Sequence, residues 1–577
     1  QHGHQRRGAN TNHPIIRTGL DVDGTGAPRR RPDDGNIGDR VGEIVDLDDG
    51  GLDGTGRREL DADGRLVTPG FVDIHTHLDA QLTWDPMGTP SCWHGVTSVV
   101  MGNCGVTFAP CRPDDRAVLA EMMESVEDIP SDAILDGLAW DWETYGEYYD
   151  SIDRLAMGPN TGGLVGHSAL RTYVMGERSL DDATASGDDI AAMSRLVDEA
   201  MAAGALGVST SRTLMHRVPD GRPIPGTFAA ADELLAFAEV LREHGAGLIE
   251  GAMRLGERDN ADLDDTRAEV ALMGELSRRS GRPVSFGLTQ SNRRPDLYER
   301  VIGFVNAENA VGGTVRPQTT ARGVGILFGL ETRTPFDRAP SWKGLRAAHN
   351  GRRLQMVRDA TFRQSLINEA DVHGTPFDLS EIFVLPPGEA RYDCDPDDSL
   401  ASIATARGVS PAGAFIELIL ETDGAVVASM PFLNQDLAAV EAMLDDPLVT
   451  LGLADAGAHV SQIMDASQPT FFLTYWIRER ERWSVEEAVR RLTSDTADLF
   501  GIRNRGRLVP GSFADVNVID FDGLFLPQPV YVNDFPNGAG RYVQGSSGYD
   551  YTLVNGYVFM DHGEHTGALA GRMLRSN

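Results

Sequence analysis

Apolar runs of β type alternate with helical patterns through the middle of the chain. Residues 188–204 and 231–245 each follow a β-type run and carry apolar side chains at helical spacing. Repeated strand–helix units are typical of a parallel sheet with helices packed against it. The pattern gives eight candidate strands, the number that closes a barrel: 70–77, 95–103, 162–170, 204–211, 246–253, 283–290, 312–319 and 449–459. It therefore predicts an α/β fold, a (β/α)8 TIM barrel.

The two ends of the chain differ from the middle. Both contain short apolar runs separated by Gly-rich and Asp-Gly turns, which indicate antiparallel strands. We expect the two ends to form one small β-sandwich domain. Two stretches interrupt the barrel pattern, and we expect them to be insertions beyond the C-terminal ends of strands, where such barrels build substrate pockets. The predicted segments are a disordered leader at 1–13, the β-sandwich at 14–68 and 505–577, the barrel at 69–504, and insertions near 112–160 and 331–430.

Charge and composition narrow the classes of partner. The chain has 577 residues, and its net charge of −34 argues against nucleic acid and anionic membranes. No run of about 18 apolar residues is free of charged or helix-breaking residues, so no membrane span is expected. The first 12 residues lack the apolar region of a secretory signal, and four cysteines are too few for a disulfide framework. We therefore expect a cytoplasmic protein that acts on a small molecule. Many barrels of this kind are oligomeric, which favours a homo-oligomer.

The strongest chemical signal is FVDIHTH, at residues 71–77. Residues two apart in a strand point to the same side, so His75 and His77 project together from the end of the first strand. Neutral imidazoles are common ligands for zinc. An isolated His-x-His is a weak motif that also occurs on solvated loops. Its place after an apolar strand that opens a strand–helix series favours a metal site.

Two further residues follow strands. Asp455 lies at the end of the eighth strand, and barrel closure brings that strand beside the first. A carboxylate there can bind a metal and take a proton from water, although an Asp after a strand is also a common helix N-cap. Cys104 ends the second strand in a Gly-rich turn, where a ligand thiolate is favoured over a buried inert thiol.

These motifs carry a family resemblance. PGFVDIHTH, GVTSVVMGNCG, GLVGHSALR, GLADAGAH and GRLVPGSFADVNVID resemble the amidohydrolase superfamily, and the closest branch is that of the N-acyl-D-amino-acid deacylases (D-aminoacylases). The resemblance runs from about residue 14 to about residue 560. It implies a barrel with a terminal β-sandwich and zinc held by His75, His77 and Asp455. It also implies that Asp455 is the general base and that Cys104 is a ligand of the second metal position.

The chain departs from that branch at the metal site. The resemblance implies a histidine at the ends of strands five and six, but none occurs between His244 and His349. Glu250 and Gln290 are the substitutes, although Gln is a poor zinc ligand and Glu250 has a structural alternative. The only lysine, Lys343, lies outside the strands, which argues against a carboxylated-lysine bridge. We expect one zinc ion, with Cys104 as a fourth ligand.

A second departure concerns the substrate. The resemblance implies an arginine after strand eight that holds a substrate carboxylate, and residues 459–470 contain none. Three arginines that follow strands three, four and five, namely Arg171, Arg212 and Arg254, are alternatives by bidentate pairing. We also consider His167 as a donor to the developing oxyanion and His459 as a substrate-binding residue near the metal. Surface or structural roles remain open for all five.

The sequence thus predicts a metal-dependent hydrolase of amide-type C–N bonds, with an N-acyl-D-amino acid as the implied substrate class. A cyclic amidase, a carbamate hydrolase or a deaminase on the same scaffold is an alternative, because a fold does not fix the reaction. A catalytically inactive barrel that binds a small molecule is a third possibility, which the missing strand-five and strand-six histidines keep open.

Overall fold

Eight parallel segments run through the middle of the chain. The structure is a computed structural model that describes residues 15–18, 42–44, 58–180 and 183–576; the predicted leader lies outside the described residues. Each segment overlaps one of the predicted strands. In chain order they are Phe71–Asp73, Val96–Met101, Asn160–Gly163 continued by Val165–Gly166, Gly207–Ser211, Leu248–Ala252, Val284–Gly287, Val315–Thr319 and Thr450–Leu451. We refer to them as the first to the eighth parallel segment.

Neighbouring segments pair in the order in which the chain visits them. The first pairs with the second at Phe71↔Val96, and the parallel pairings continue in register to Gln318↔Thr450 between the seventh and the eighth. An isolated parallel bridge, Thr76↔Ala456, joins the continuations of the first and eighth segments. The two ends of the series therefore lie side by side, and the fold is mixed α/β.

Helices follow most of the segments and cover the sheet. Gly187–Ala202 shows why they form. Ser186 and Asp189 make a capping box at its start, and Met193, Val197 and Met201 repeat every four residues on its buried face. The other helices of the series are Arg116–Glu127, Ser131–Gly137, Tyr145–Asp153, His167–Met175, Ala231–His244, Asp264–Ser280, Leu297–Ala310, Leu437–Asp445, Gln468–Phe471, Val485–Leu492 and Ser494–Leu499. The helix at His167 ends the third strand earlier than the predicted 170.

The two ends of the chain meet in one antiparallel sheet. Its strands are, in order across the sheet, Glu564–His565, Tyr557–Asp561, Tyr549–Val554, Val516–Ile519 and Leu66–Pro69. The last two pair at Val516↔Pro69, directly before the first parallel segment begins at Phe71. Ile15–Thr18 pairs with Arg58–Asp61, and Val530–Val532 pairs with Arg541–Val543. The start of the barrel-type series is therefore attached to the C-terminal strands.

A helical insertion with its own core follows the seventh segment. It starts at the strand Val324–Gly329 and returns at Val427–Leu433, so it is slightly longer than the predicted 331–430. A third strand, Phe383–Val384, completes a small antiparallel sheet. Its helices are Pro340–Ala347, Asn350–Arg358, Ala360–His373, Leu400–Arg407 and Pro411–Glu421. Phe328, Trp342 and Phe415 are buried together at its centre, separately from the main core.

Among the described residues, no single helix is long and apolar enough to cross a membrane. Leu400–Arg407 and Pro411–Glu421, which meet at 90°, reach the required length and composition only when they are taken together.

Candidate metal centre

Two histidines and an aspartate meet where the first and eighth segments adjoin. The Nε2 atoms of His75 and His77 lie 3.5 and 3.3 Å from the Oδ1 atom of Asp455. The backbone holds this arrangement, because the amide of Asp455 donates to the carbonyl of His75 (3.0 Å) and the amide of His77 donates to that of Ala456 (2.7 Å). Both imidazoles are buried, whereas the Asp455 side chain is 25% exposed. Water and a substrate can therefore reach the group from the side on which Asp455 lies.

Cys104 joins the group from the end of the second segment. Its Sγ atom lies 3.5 Å from the Nε2 atom of His75. Cys104 has a φ of 55° between Gly102 and Gly105 at 77° and 78°, so three left-handed residues in four turn the chain sharply. The amide of Cys104 donates to the Oε2 atom of Glu250 at 2.8 Å, which anchors the turn. The thiol is thereby directed at the two histidines.

The donor atoms fit a zinc ion. Zinc binds nitrogen, oxygen and sulfur at about 2.0–2.3 Å in a tetrahedron, for which the ligand atoms are separated by roughly 3.3–3.7 Å. Asp455 lies at 3.3 and 3.5 Å from the two imidazoles, Cys104 lies at 3.5 Å from His75, and the ligand atoms of His75, His77 and Cys104 all lie within 4.8 Å of one another. The Nε2 atom of His77 is buried and has no hydrogen-bond partner among the described residues. Two imidazoles, a carboxylate and a thiol are also the chemical set that zinc prefers.

Two buried carboxylates lie near the Nδ1 atoms of the two histidines. The Nδ1 atom of His77 lies 3.4 Å from the Oε1 atom of Glu127, and that of His75 lies 3.7 Å from the Oε1 atom of Glu250. Metal-binding histidines usually present the second nitrogen to a carboxylate, which selects the tautomer with Nε2 free. Glu250 therefore lies on the Nδ1 side of His75, away from the Nε2 atom that faces Asp455. Sequence reasoning missed Glu127, because it ends a helix in an insertion and no motif marks it.

The electrostatics of the group favour a cation. Burial lowers the pKa of His75 to about 4, which keeps this imidazole neutral and able to bind a metal. Burial opposes the charged form of His77, but Glu127 and Asp455 raise its pKa to about 10. Burial also opposes ionisation of Asp455, yet His77 and His75 hold its pKa well below the usual range. Burial raises the pKa of Glu250 to about 8. Three carboxylates converge on two imidazoles, so the group has an excess of acidic side chains.

His459 lies beside the metal group on its open side. Its Nε2 atom is 3.8 Å from the Oδ2 atom of Asp455 and 3.8 Å from the Oε2 atom of Glu127, and its side chain is 30% exposed. The segment that carries it is unusual, because Leu453, Asp455 and His459 all have φ values near +50°. Such conformations are costly for residues other than glycine and cluster at functional sites.

His167 and Arg171 belong to a different buried network, which corrects their predicted roles. Both ring nitrogens of His167 are occupied, by the Oγ1 atom of Thr210 (2.9 Å) and the Oε1 atom of Glu233 (2.7 Å). Arg171 donates to both oxygens of the same Glu233 at 2.6 and 2.8 Å, and to the carbonyl of Ala183. His167 has no nitrogen left for an oxyanion, and Arg171 has its carboxylate partner inside the protein.

The other two arginines differ from each other. Arg212 is buried against Glu269 (Nε–Oε1 2.5 Å), so it has no free guanidinium face for a substrate. Arg254 donates only to the carbonyls of Arg212 and Thr227, and the described residues place no carboxylate within salt-bridge distance of it. Arg254 and Arg258 both lie 5.2 Å from the centre of the Phe228 ring. These two arginines form a positive patch beyond the fifth segment, where the carboxylates of Glu269 and Glu257 partly offset the charge of Arg254.

His216 is a second residue that sequence reasoning missed. It lies in the loop after the fourth segment, and its Nδ1 atom is 2.9 Å from the Oγ atom of Ser211. Its position five residues beyond a strand end was the available signal, but no motif surrounds it.

Comparisons with known proteins found relatives that match most of the chain. A protein of Mycobacterium tuberculosis (strain H37Rv) with no assigned function is 31% identical over 538 residues, which are 88% of this chain and 84% of that protein. The D-aminoacylase of Alcaligenes xylosoxydans xylosoxydans is 28% identical over 582 residues, 97% of either chain. The crystal structure of N-acyl-D-glutamate deacylase from Bordetella bronchiseptica, complexed with zinc and a phosphonate inhibitor, aligns with a TM-score of 0.60 at 24% identity. This alignment covers 97% of this chain and 99% of that one, and it shows a shared fold.

The amidohydrolase family model matches residues 58–381 and 398–559, which include all four candidate ligands. This match covers more than half of the chain. The D-aminoacylase-like chain therefore belongs to the amidohydrolase family and is a metal-dependent hydrolase.

Proposed function

We propose that the protein hydrolyses the amide bond of an N-acyl-amino acid, with one zinc ion held by His75, His77 and Asp455 and with Cys104 as fourth ligand. The observation that carries the proposal is that His75 and His77 lie within 3.3 to 3.5 Å of Asp455 and that Cys104 lies 3.5 Å from His75. We also propose that the eight parallel segments form a closed barrel, in which the Thr76↔Ala456 bridge joins the last strand to the first. Zinc, when bound, supplies a Lewis acid that polarises a carbonyl and makes water more acidic.

Asp455 is the group placed to move the proton. Its Oδ1 atom faces both histidines, and its Oδ2 atom lies on the side of the solvent-accessible His459. Asp455 Oδ2 takes a proton from the attacking water and delivers it to the leaving nitrogen, so that the carboxylate ends the reaction in its starting form. A depressed pKa of Asp455 keeps the carboxylate ionised in the resting enzyme.

The positive patch supports an anionic substrate. Arg254 has no carboxylate partner among the described residues, in contrast to Arg171 and Arg212. The guanidinium groups of Arg254 and Arg258 both lie 5.2 Å from the centre of the Phe228 ring. They place two positive charges near the loops that follow the fourth and fifth segments. We assign the α-carboxylate of the substrate to Arg254. The similarity to D-aminoacylase favours the D configuration at the adjacent carbon.

Metal analysis of the purified protein tests the site. We expect about one zinc ion per chain in the unaltered protein and in His244→Ala, whose histidine pairs with Asp198 away from the centre. His75→Ala is expected to lose the ion. Two ions per chain would contradict the one-ion site.

Kinetics with a substrate panel tests the reaction. We expect hydrolysis of N-acyl-D-amino acids to exceed that of N-acyl-L-amino acids, hydantoins and carbamates. Preferential hydrolysis of a hydantoin or a carbamate would assign the protein to those alternatives. A zinc-loaded protein that binds N-acyl-amino acids and hydrolyses none of the panel would support the inactive binder.

A further inference from the structure

His216 is held in place by the fourth segment. Its ring nitrogen Nδ1 forms a hydrogen bond with the Oγ atom of Ser211, the last residue of that segment. Its carbonyl accepts from the amide of Ile224, which closes the loop that carries it. Its side chain is half-buried, and no hydrogen bond or ion pair of the described residues occupies its Nε2 atom. One ring nitrogen is thus fixed and the other is available.

The fourth segment packs directly on the turn that carries Cys104. A Cβ atom added to Gly105 would lie 2.7 Å from the backbone nitrogen of Ser211, so the two backbones are in contact. The amide of Gly105 donates to the Oγ atom of Ser209, and that hydroxyl donates to the carbonyl of Gly102. Ser211 therefore lies beside the turn that carries the candidate ligand Cys104, and it holds the His216 imidazole on this side of the site.

The charges that act on His216 belong to residues of the metal group and to His459 beside it. Burial lowers the pKa of His216 to about 3, the charges of His459, His77 and His75 act in the same direction, and the charge of Asp455 opposes them. The ring is therefore neutral near pH 7. The Ser211 hydroxyl can donate to Nδ1 or accept from it; in the tautomer in which the hydroxyl donates, the neutral ring carries its own proton on Nε2, and that N–H is a donor.

We propose that His216 donates its Nε2–H to the carbonyl oxygen of the scissile amide and stabilises the negative charge that develops there. When the water oxygen bonds to the carbonyl carbon, the π electrons of the carbonyl move to its oxygen and the water proton goes to Asp455. A fixed donor aimed at that oxygen stabilises the transition state more than the ground state. His216 thereby takes the role that sequence reasoning gave to His167. The inference rests on the proposed function and adds a residue to it.

Two variants of His216 separate catalysis from folding. His216→Leu removes the donor, and His216→Gln keeps a side-chain N–H donor. Loss of one oxyanion donor costs about a hundredfold to a thousandfold in kcat. We expect a loss of this size in His216→Leu with little change in KM, partial recovery in His216→Gln, and normal kcat in the control His244→Ala. All three are expected to retain zinc. A His216→Leu enzyme with zinc bound and a kcat within twofold of the unaltered enzyme would overturn the proposal.

A binding experiment keeps the inference independent of turnover. Acetohydroxamate, which presents an anionic oxygen to zinc, is titrated into zinc-loaded protein. We expect its Kd to rise about tenfold in His216→Leu and to stay unchanged in His244→Ala. An unchanged Kd in His216→Leu rejects the role of His216. Absence of amide hydrolysis by the unaltered protein, together with a raised Kd in this variant, rejects the proposed function and retains the donor.

Discussion

The Nε2 atom of His77 lies 3.3 Å from the Oδ1 atom of Asp455, although the two residues come from the first and the last parallel segment. The contact joins a candidate metal ligand to the carboxylate that we propose as the general base. Its formation depends on the backbone bonds between 75–77 and 455–456.

Asp455→Asn tests the proton transfer. The amide keeps the shape of the side chain and is a poor base, so we expect kcat to fall by about a hundredfold to ten-thousandfold. Steady-state kinetics and zinc content should be measured on the same preparation. Normal kcat in a zinc-containing Asp455→Asn enzyme would assign the base to another residue.

Glu127→Gln tests the carboxylate behind His77. Loss of a carboxylate partner of a metal-binding histidine usually weakens metal affinity about 10- to 100-fold. We expect a decrease of that size in a zinc competition titration with a chelator. Glu124→Gln changes an exposed residue of the same helix and is the matched control. Equal zinc affinities in the two variants would show that Glu127 has no part in metal binding.

Arg254→Gln tests the anion site, with Arg212→Gln for comparison. We expect KM for an anionic substrate to rise about tenfold in Arg254→Gln, because a charge-assisted bidentate contact is lost. Arg212→Gln leaves the buried Glu269 without its partner, and breaking such a pair costs about 3–5 kcal/mol of folding stability. Thermal unfolding and kinetics together distinguish the two effects. A KM that is unchanged in Arg254→Gln would move the anion site elsewhere.

His94 gives a pH dependence of stability that is separate from catalysis. It is buried and bonded to the Oγ1 atom of Thr470 (2.8 Å) and the carbonyl of Gln544 (2.9 Å). Burial lowers its pKa to about 4 from the ordinary 6.5, with the charge of Arg322 acting in the same direction. A depressed folded-state pKa means that its contribution is present above pH 6.5 and is lost as the pH falls towards 4.

The expected loss is about 3 kcal/mol over this range, at about 1.4 kcal/mol for each pH unit. Denaturant unfolding at pH 7.5 and pH 4.5 measures it. His94→Gln retains hydrogen-bonding groups without a titratable ring, so its stability should change less between the two pH values. Equal changes in both proteins would assign the acid sensitivity to other groups.

The candidate ligands could be predicted because each follows an apolar strand. The spacing of His75 and His77 places them on one side of the chain, and the order of the strands predicts that Asp455 lies beside them. Glu127 and Glu250 escaped assignment as partners of the histidines, since their contacts depend on how a helix end and a fifth strand approach the first. Local sequence does not encode such distances.

The residues whose proposed roles differ between the sequence and the structure show the same limit of sequence-based prediction. His167 follows a strand as the ligands do, but Glu233 reaches both it and Arg171 from a later helix. His216 had no motif, and only its bond to Ser211 and the packing of Ser211 on the Cys104 turn connect it to the candidate site. Strand-end position identifies candidates, whereas long-range partners decide between function and structure.

The pairing of Leu66–Pro69 with Val516–Ile519 joins two parts of the chain that are synthesised far apart in time, and this delays the stage at which the site can form. The ribosome makes His75, His77 and Cys104 long before it makes Asp455, so the nascent chain carries three of the candidate ligands without the fourth. The strand that leads into the first segment must wait longer still for its C-terminal neighbour. The full ligand set is therefore available to an ion only late in translation, and an earlier intermediate would hold the ion by fewer bonds.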